Sequence, residues 1–122
     1  MKESLAVGIE HEMKFAVTKE MGAPHLPMQV LSTPAMLSLI EGTCRQGAKP
    51  HLDENETTVG THVNFSHSGL ARMGEEVTVK VRLKEINKRR LVFEIEVLAP
   101  QGSISTGTHE RAVIDLSRFA KS

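Results

Sequence analysis

Leu31-Ser32-Thr33-Pro34-Ala35-Met36-Leu37-Ser38-Leu39-Ile40-Glu41-Gly42-Thr43-Cys44-Arg45-Gln46-Gly47 is the stretch that decides the fold. Thr33 is a good N-cap, and proline suits the first helical position. The pattern predicts a helix from Pro34 to about Gln46, ended by Gly47 or Ala48. Most of its circumference is apolar as far as Cys44. A helix that is apolar nearly all round is buried, and one helix can be buried this way if a sheet wraps it.

The flanking sequence supplies such a sheet. Ile9, Met13, Phe15 and Val17 share one parity with His11, while Glu10, Glu12 and Lys14 take the other. This alternation reads as a half-buried strand over 9–17. Thr18 to Val30 carries Gly22, Pro24 and Pro27 and no period, a long connection of the kind that is often functional. After the helix, Lys49 to Glu56 is a polar loop. Strands follow at Thr57 to His67, Val77 to Lys84, Leu91 to Leu98 and Ser103 to Leu116. Turns fall at Asn87 to Arg90 and at Pro100 to Gly102. Ala120 to Ser122 reads as a loose tail. Short connections between consecutive strands imply antiparallel pairing. The chain is therefore expected to be one α+β domain over 1–122, with a five-stranded antiparallel sheet wrapped around one central helix.

The totals agree. A chain of 122 residues can bury roughly two thirds of its unfolded surface, enough for one core. Aromatic residues are 3%, so that core is aliphatic. Fifteen basic and fifteen acidic residues cancel, which argues against a nucleic-acid partner. Cys44 is the single cysteine, which suits a reducing cytoplasm. Met1 to Glu12 has no apolar run of signal-peptide length, and no stretch approaches the ~20 apolar residues of a membrane span. The expectation is a cytoplasmic protein with no membrane partner. Six histidines invite a metal, yet none shows HxxxH or HxH spacing, so no metal site is expected.

Three segments carry a resemblance: LSTPAMLSLIEGTC (31–44), ETTVGTHVNFSH (56–67) and GTHERAVIDL (107–116), with NKRRLVFEIEV (87–97) between them. Together they resemble the fluoroacetyl-CoA thioesterase-like family of hotdog-fold acyl-CoA thioesterases, from about Ala6 to Phe119. The resemblance implies a hotdog fold acting as a homodimer, with a dimer of dimers left open. It implies a catalytic set of Thr33, Glu41 and His67, and a Gly60 backbone N–H that meets the thioester carbonyl. Coenzyme A enters as part of the substrate, and no separate cofactor is implied. Fluoroacetyl selectivity in that family goes with Phe residues ahead of the helix. Pro24-His25-Leu26-Pro27-Met28 contains none, so a different acyl group is expected.

The residue types suit thioester hydrolysis. A carboxylate in the apolar part of a helix is costly unless paired or protonated, and desolvation would raise the Glu41 pKa and improve it as a base. Glu41 could activate water, or attack through a transient anhydride. Thr33 and Glu41 are eight positions apart, which projects them within ~80° of each other on a helix. The positive end of the helix dipole near Thr33 favours a developing oxyanion. His67 can exchange protons near neutral pH. Arg72, Lys88, Arg89 and Arg90 are candidate partners for the coenzyme A phosphates.

Each has a plainer reading. Thr33 is more often just a cap. Glu41 could be a structural ion pair with Arg111 or Arg45. His67 could be a strand-end surface residue. His109 reads best as a hydrogen-bonded structural cluster at the sheet or dimer interface, Cys44 as a small buried hydrophobe, and the Lys/Arg turn as a solvated hairpin. Hydrolysis of an acyl-CoA competes with a module that binds acyl-CoA without turnover, which would need no buried carboxylate beside a histidine. A hotdog hydratase would show an Asp with a His five residues on. Thr58 and Ala120 stand at that distance from Asp53 and Asp115. A five-stranded sheet also leaves an edge strand open, which hotdog proteins pair across a two-fold axis.

Overall fold

A computed structural model describes residues 1–119; the tail read at 120–122 lies outside the described residues. Five strands and one long helix form in the expected order. They are β1 (Glu10–Ala16), α1 (Thr33–Ala48), β2 (Glu56–Phe65), β3 (Glu76–Asn87), β4 (Arg90–Ala99) and β5 (Gly102–Asp115). A short helix, α2 (Leu116–Phe119), ends the described chain where a strand end was expected. The strands make one antiparallel sheet in the order β1-β3-β4-β5-β2. Strand β2 thus lies beside β5 and not beside β3. The ten-residue connection 66–75 is long enough to carry the chain across the sheet.

The core is aliphatic, as the composition requires. Val77, Val79, Val81 and Leu83 of β3 face Leu91, Phe93, Ile95 and Val97 of β4, and Met36, Ile40 and Cys44 of α1 pack down on them. Burying a Leu, Ile, Val, Met or Phe side chain stabilises the fold by roughly 1.5–3 kcal/mol. These contacts hold α1 in place.

Two details of α1 depart from expectation. The N-cap is Ser32, not Thr33. Ser32 is extended (φ −79°, ψ 158°), and its Oγ accepts from the Ala35 N–H at 3.3 Å. Thr33 and Pro34 occupy the first helical turn, which leaves the Thr33 hydroxyl free for another partner. Nor is the helix buried all round. Pro34, Ser38 and Arg45 are exposed, and Glu41 and Gly42 are half-buried. The reason is topological: this face of α1 lies beside the open edge strand β2, where the sheet stops.

The β2–β5 pairing depends on Gly107. Its φ is +152°, and a Cβ there would collide with the backbone of Asn64 and Phe65. Gly107→Ala should destabilise the fold by roughly 2–3 kcal/mol. Calorimetry should read this as a clear fall in Tm; an unchanged Tm would mean that the pairing tolerates the side chain.

Candidate active site

The N-terminus of α1 brings Thr33 beside the segment that leaves β2. Thr33 Oγ1 lies 2.8 Å from His67 Nδ1. His67 sits just past β2, and the neighbouring Ser66 and Ser68 keep their N–H groups on Thr106 and Ile104 of β5. That pairing fixes the ring against the helix start. Burial pushes the His67 pKa below its ordinary value, opposed by the Gly69 backbone. His67 Nε2 is buried without a hydrogen-bond partner. In the neutral ring with its proton on Nε2, Nδ1 accepts from the Thr33 hydroxyl. Such a pair can draw a proton from the hydroxyl, or from a water that replaces it.

Glu41 is elsewhere. Arg111 Nη1 donates to its Oε2 at 3.4 Å, so in this structure the plainer ion-pair reading describes Glu41. Arg111 is itself buried and well held. Its Nε donates to Thr58 Oγ1 at 2.7 Å and its Nη2 to the Thr58 carbonyl at 2.9 Å. Nη1 also lies 3.1 Å from His109 Nε2. A guanidinium has only donors, so His109 Nε2 accepts, and Nδ1–H donates to the His62 carbonyl at 2.9 Å. His109 is thus the structural cluster the sequence suggested. Burial first, and then the Arg111 charge, push its pKa down and hold it neutral. The 3.9 Å approach of His109 Nε2 to Glu41 Oε2 therefore sets two acceptors side by side.

Gly60 belongs to this second group. A Cβ at residue 60 would collide with Glu41 Oε2, so only glycine lets the carboxylate lie against β2. The sheet register shifts between Gly60 and His62, which turns this backbone away from the regular ladder. Glu41 itself is not in a dry pocket, since its side chain is 39% exposed. The open face of α1 explains this.

The chain therefore holds two separate clusters of candidate residues. Thr33 and His67 stand at the start of α1, and Glu41, Gly60 and Arg111 stand at its middle. Eight residues of helix set Thr33 and Glu41 about 12 Å apart along the axis. The shared helical side foreseen from the spacing is real, but the separation along the rod keeps the two groups apart.

The basic candidates also divide. Arg89 is paired with Glu56 at 3.3 Å, and Arg90 with Glu110 at 2.6 Å and Glu85 at 3.0 Å. Lys88, with φ 58°, and Arg89 form the turn between β3 and β4. Arg90 pairs with Ala112, whereas Ser66 bonds to Thr106, so this turn lies roughly 20 Å from His67 along β5. Arg72 is exposed on the loop after His67 and lines a cleft with Gly69 and Leu70. Sequence reasoning named Arg111 only as a structural partner. The signal was there, because His109 and Arg111 fall on the parity of β5 that faces the core.

A family model described as fluoroacetyl-CoA-specific thioesterase matches residues 9–117. The fluoroacetyl-CoA thioesterase of Streptantibioticus cattleyicolor is 30% identical over 128 residues, which covers 98% of this chain and 92% of that protein. A variant of a fluoroacetyl-CoA-specific thioesterase solved with fluoroacetate and CoA superimposes with a TM-score of 0.87 at 30% identity, covering 94% of this chain and 99% of the other. A hot-dog-like protein from Thermanaerovibrio acidaminovorans shares the fold, with a TM-score of 0.87 at 24% identity over 94% of this chain and 87% of its own.

The lowered pKa of His67 has a direction that can be measured. The folded ring holds its proton less tightly than a free histidine, so stability falls as pH drops from about 6.5 through the folded value. NMR titration of the His67 ring should give a midpoint below about 6.5. A midpoint at or above that value would contradict the environment described.

Proposed function

Because the chain belongs to the fluoroacetyl-CoA-specific thioesterase family, we propose that it hydrolyses an acyl-CoA thioester to the free acid and coenzyme A at a site assembled from two protomers. The observation that carries this reading is the 2.8 Å pair of Thr33 Oγ1 and His67 Nδ1 at the positive end of α1.

The second protomer answers a geometric need. A thioester carbonyl held by Thr33 and His67 is too far along α1 for the Glu41 of the same chain. The features a partner would cover are present. Strand β2 is a sheet edge, its Val59 and Val63 are exposed, and the Glu41 face of α1 is open beside it. A homodimer joined at β2 across a two-fold axis pairs these edges and can bring Glu41 of one chain to Thr33 and His67 of the other. Covering this face would also dry the carboxylate.

In the reaction, the Gly60 N–H and the α1 N-terminus would stabilise the oxyanion. Glu41 would serve as general base or nucleophile, with Arg111 fixing its direction. Neutral His67 would take the proton through Thr33 or water and return it to the departing thiolate. Of the basic candidates, Arg72 is best placed for a coenzyme A phosphate near the Thr33–His67 half-site. Lys88, Arg89 and Arg90 would serve the half-site supplied by Glu41. No described helix is long and apolar enough to cross a membrane, and the free buried Cys44 suits the cytoplasm.

Thiol-release assays should show that Glu41→Gln and His67→Ala each lower kcat/KM by more than about tenfold. Activity within twofold of the parent would remove that residue from the mechanism. The solution mass should be that of two chains. Mixing Thr33→Ala with Glu41→Gln protein should restore roughly a quarter of parental activity, since mixed dimers then hold one intact composite site. No recovery on subunit exchange would place all three groups in one chain.

A further inference from the structure

Eight large apolar side chains are exposed among the described residues, and six of them fall in two groups; Val7 and Leu116 stand apart. Val59 and Val63 lie on the open edge of β2. Leu26, Met28, Leu70 and Met73 lie on two loops that flank the Thr33–His67 pair, one before α1 and one after β2. Exposed apolar groups gathered around a cleft mark a binding groove.

The two loops are tied together. Leu31 N–H donates to Ala71 O at 2.8 Å, and Met73 N–H to Gln29 O at 3.1 Å. The first loop is pinned at its base, where Ser32 N–H donates to Met21 O at 2.8 Å. Its tip, residues 24–28, makes one backbone hydrogen bond, from Leu26 N–H to Ala23 O at 3.1 Å. A fixed base with a weakly bonded tip allows the loop to close over occupants of different length.

Between the loops is a cleft of about 440 Å³ that contains both Thr33 and His67. Ala23, Leu26, Val30, Leu31 and Leu70 give it apolar walls. Leu26 is 38% exposed and Leu70 54% exposed. Both line the same cleft as the Thr33–His67 pair, and both are open to an apolar occupant. The adjoining cleft beyond Gly69 and Leu70 is mixed, with Arg72, Gln101 and Ser103 beside Leu70 and Ile104 in its wall, so it offers a polar carrier arm partners that the first cleft lacks. An apolar chain and a polar carrier arm would separate into these two clefts.

We propose that the cleft over Thr33 and His67 takes acyl groups with an unbranched apolar chain, from butanoyl to octanoyl, seated between Leu26 and Leu70. This rests on the thioesterase reading and goes further by naming the substrate class. No Phe, Tyr or Trp lines the cleft, whose rings are the imidazoles of His25 and His67, so its aliphatic walls can follow a flexible chain. Each methylene moved from water into such a cleft is worth about fourfold in kcat/KM.

The test is free-thiol release from acetyl-, fluoroacetyl-, butanoyl-, hexanoyl- and octanoyl-CoA. The expected result is a rise of about fourfold per methylene until the cleft is full. Leu26→Ala and Leu70→Ala should each lower the hexanoyl-to-acetyl preference by about fivefold or more. Both residues are exposed on loops, so folding is not at stake. A flat profile, a preference for acetyl- or fluoroacetyl-CoA, or an equal loss on every substrate in both variants would overturn the inference while leaving the hydrolase standing. Release from none of the five would sink the hydrolase reading as well.

Discussion

Eight residues of a rigid helix separate Thr33 from Glu41, and much of the molecule follows from that distance. An α-helix rises 1.5 Å per residue and does not bend enough to close about 12 Å. The aliphatic core fixes α1 against β3 and β4, so neither end can swing toward the other. The chain therefore carries two partial sites on one open face of α1. That face lies beside an unpaired strand edge, and the Glu41 carboxylate on it is partly exposed.

Each half is held by a different kind of force. At the helix start, Ser32 takes the capping role, and that releases the Thr33 hydroxyl for His67. At the helix middle, the carboxylate is set by the cluster of Arg111, Thr58 and His109. Arg111 is buried with all three of its guanidinium nitrogens bonded. A buried guanidinium held this way resists change, because removing a partner leaves one of its donors unpaired. Neutral His109 passes the constraint on to the His62 carbonyl. The position of Glu41 and the shape of β2 next to Gly60 are thus set together. The groups that hold Glu41 come from β5 and β2, and the candidate residues from α1 and the chain after β2.

Much of this was legible in particular residues. Ile9 to Val17 and Val77 to Leu98 alternate with the period of a half-buried strand, and the apolar run in 31–44 demanded a sheet to cover it. Three features were not legible. The cap moved from Thr33 to Ser32, because either side chain satisfies a helix start and only the backbone angles at residue 32 choose between them. Strand β2 went to the far edge of the sheet, because the connection 66–75 is long enough for either side. The open face of α1 followed from that placement. No local pattern records it, since Ser38, Glu41 and Arg45 read equally well as a minor polar interruption of a buried helix.

The candidates Thr33, Glu41 and His67 came from the resemblance of three segments to a known family. The amino-acid sequence by itself determined the element types, their order and the aliphatic core. These depend on periods of two and 3.6 residues and on local side-chain chemistry, which are properties of short stretches. Tertiary structure alone decided which candidates meet. It joined Thr33 to His67 across 34 residues of chain and Glu41 to Arg111 across 70. Those meetings depend on strand order and on where the sheet ends, and both are settled by packing between distant segments.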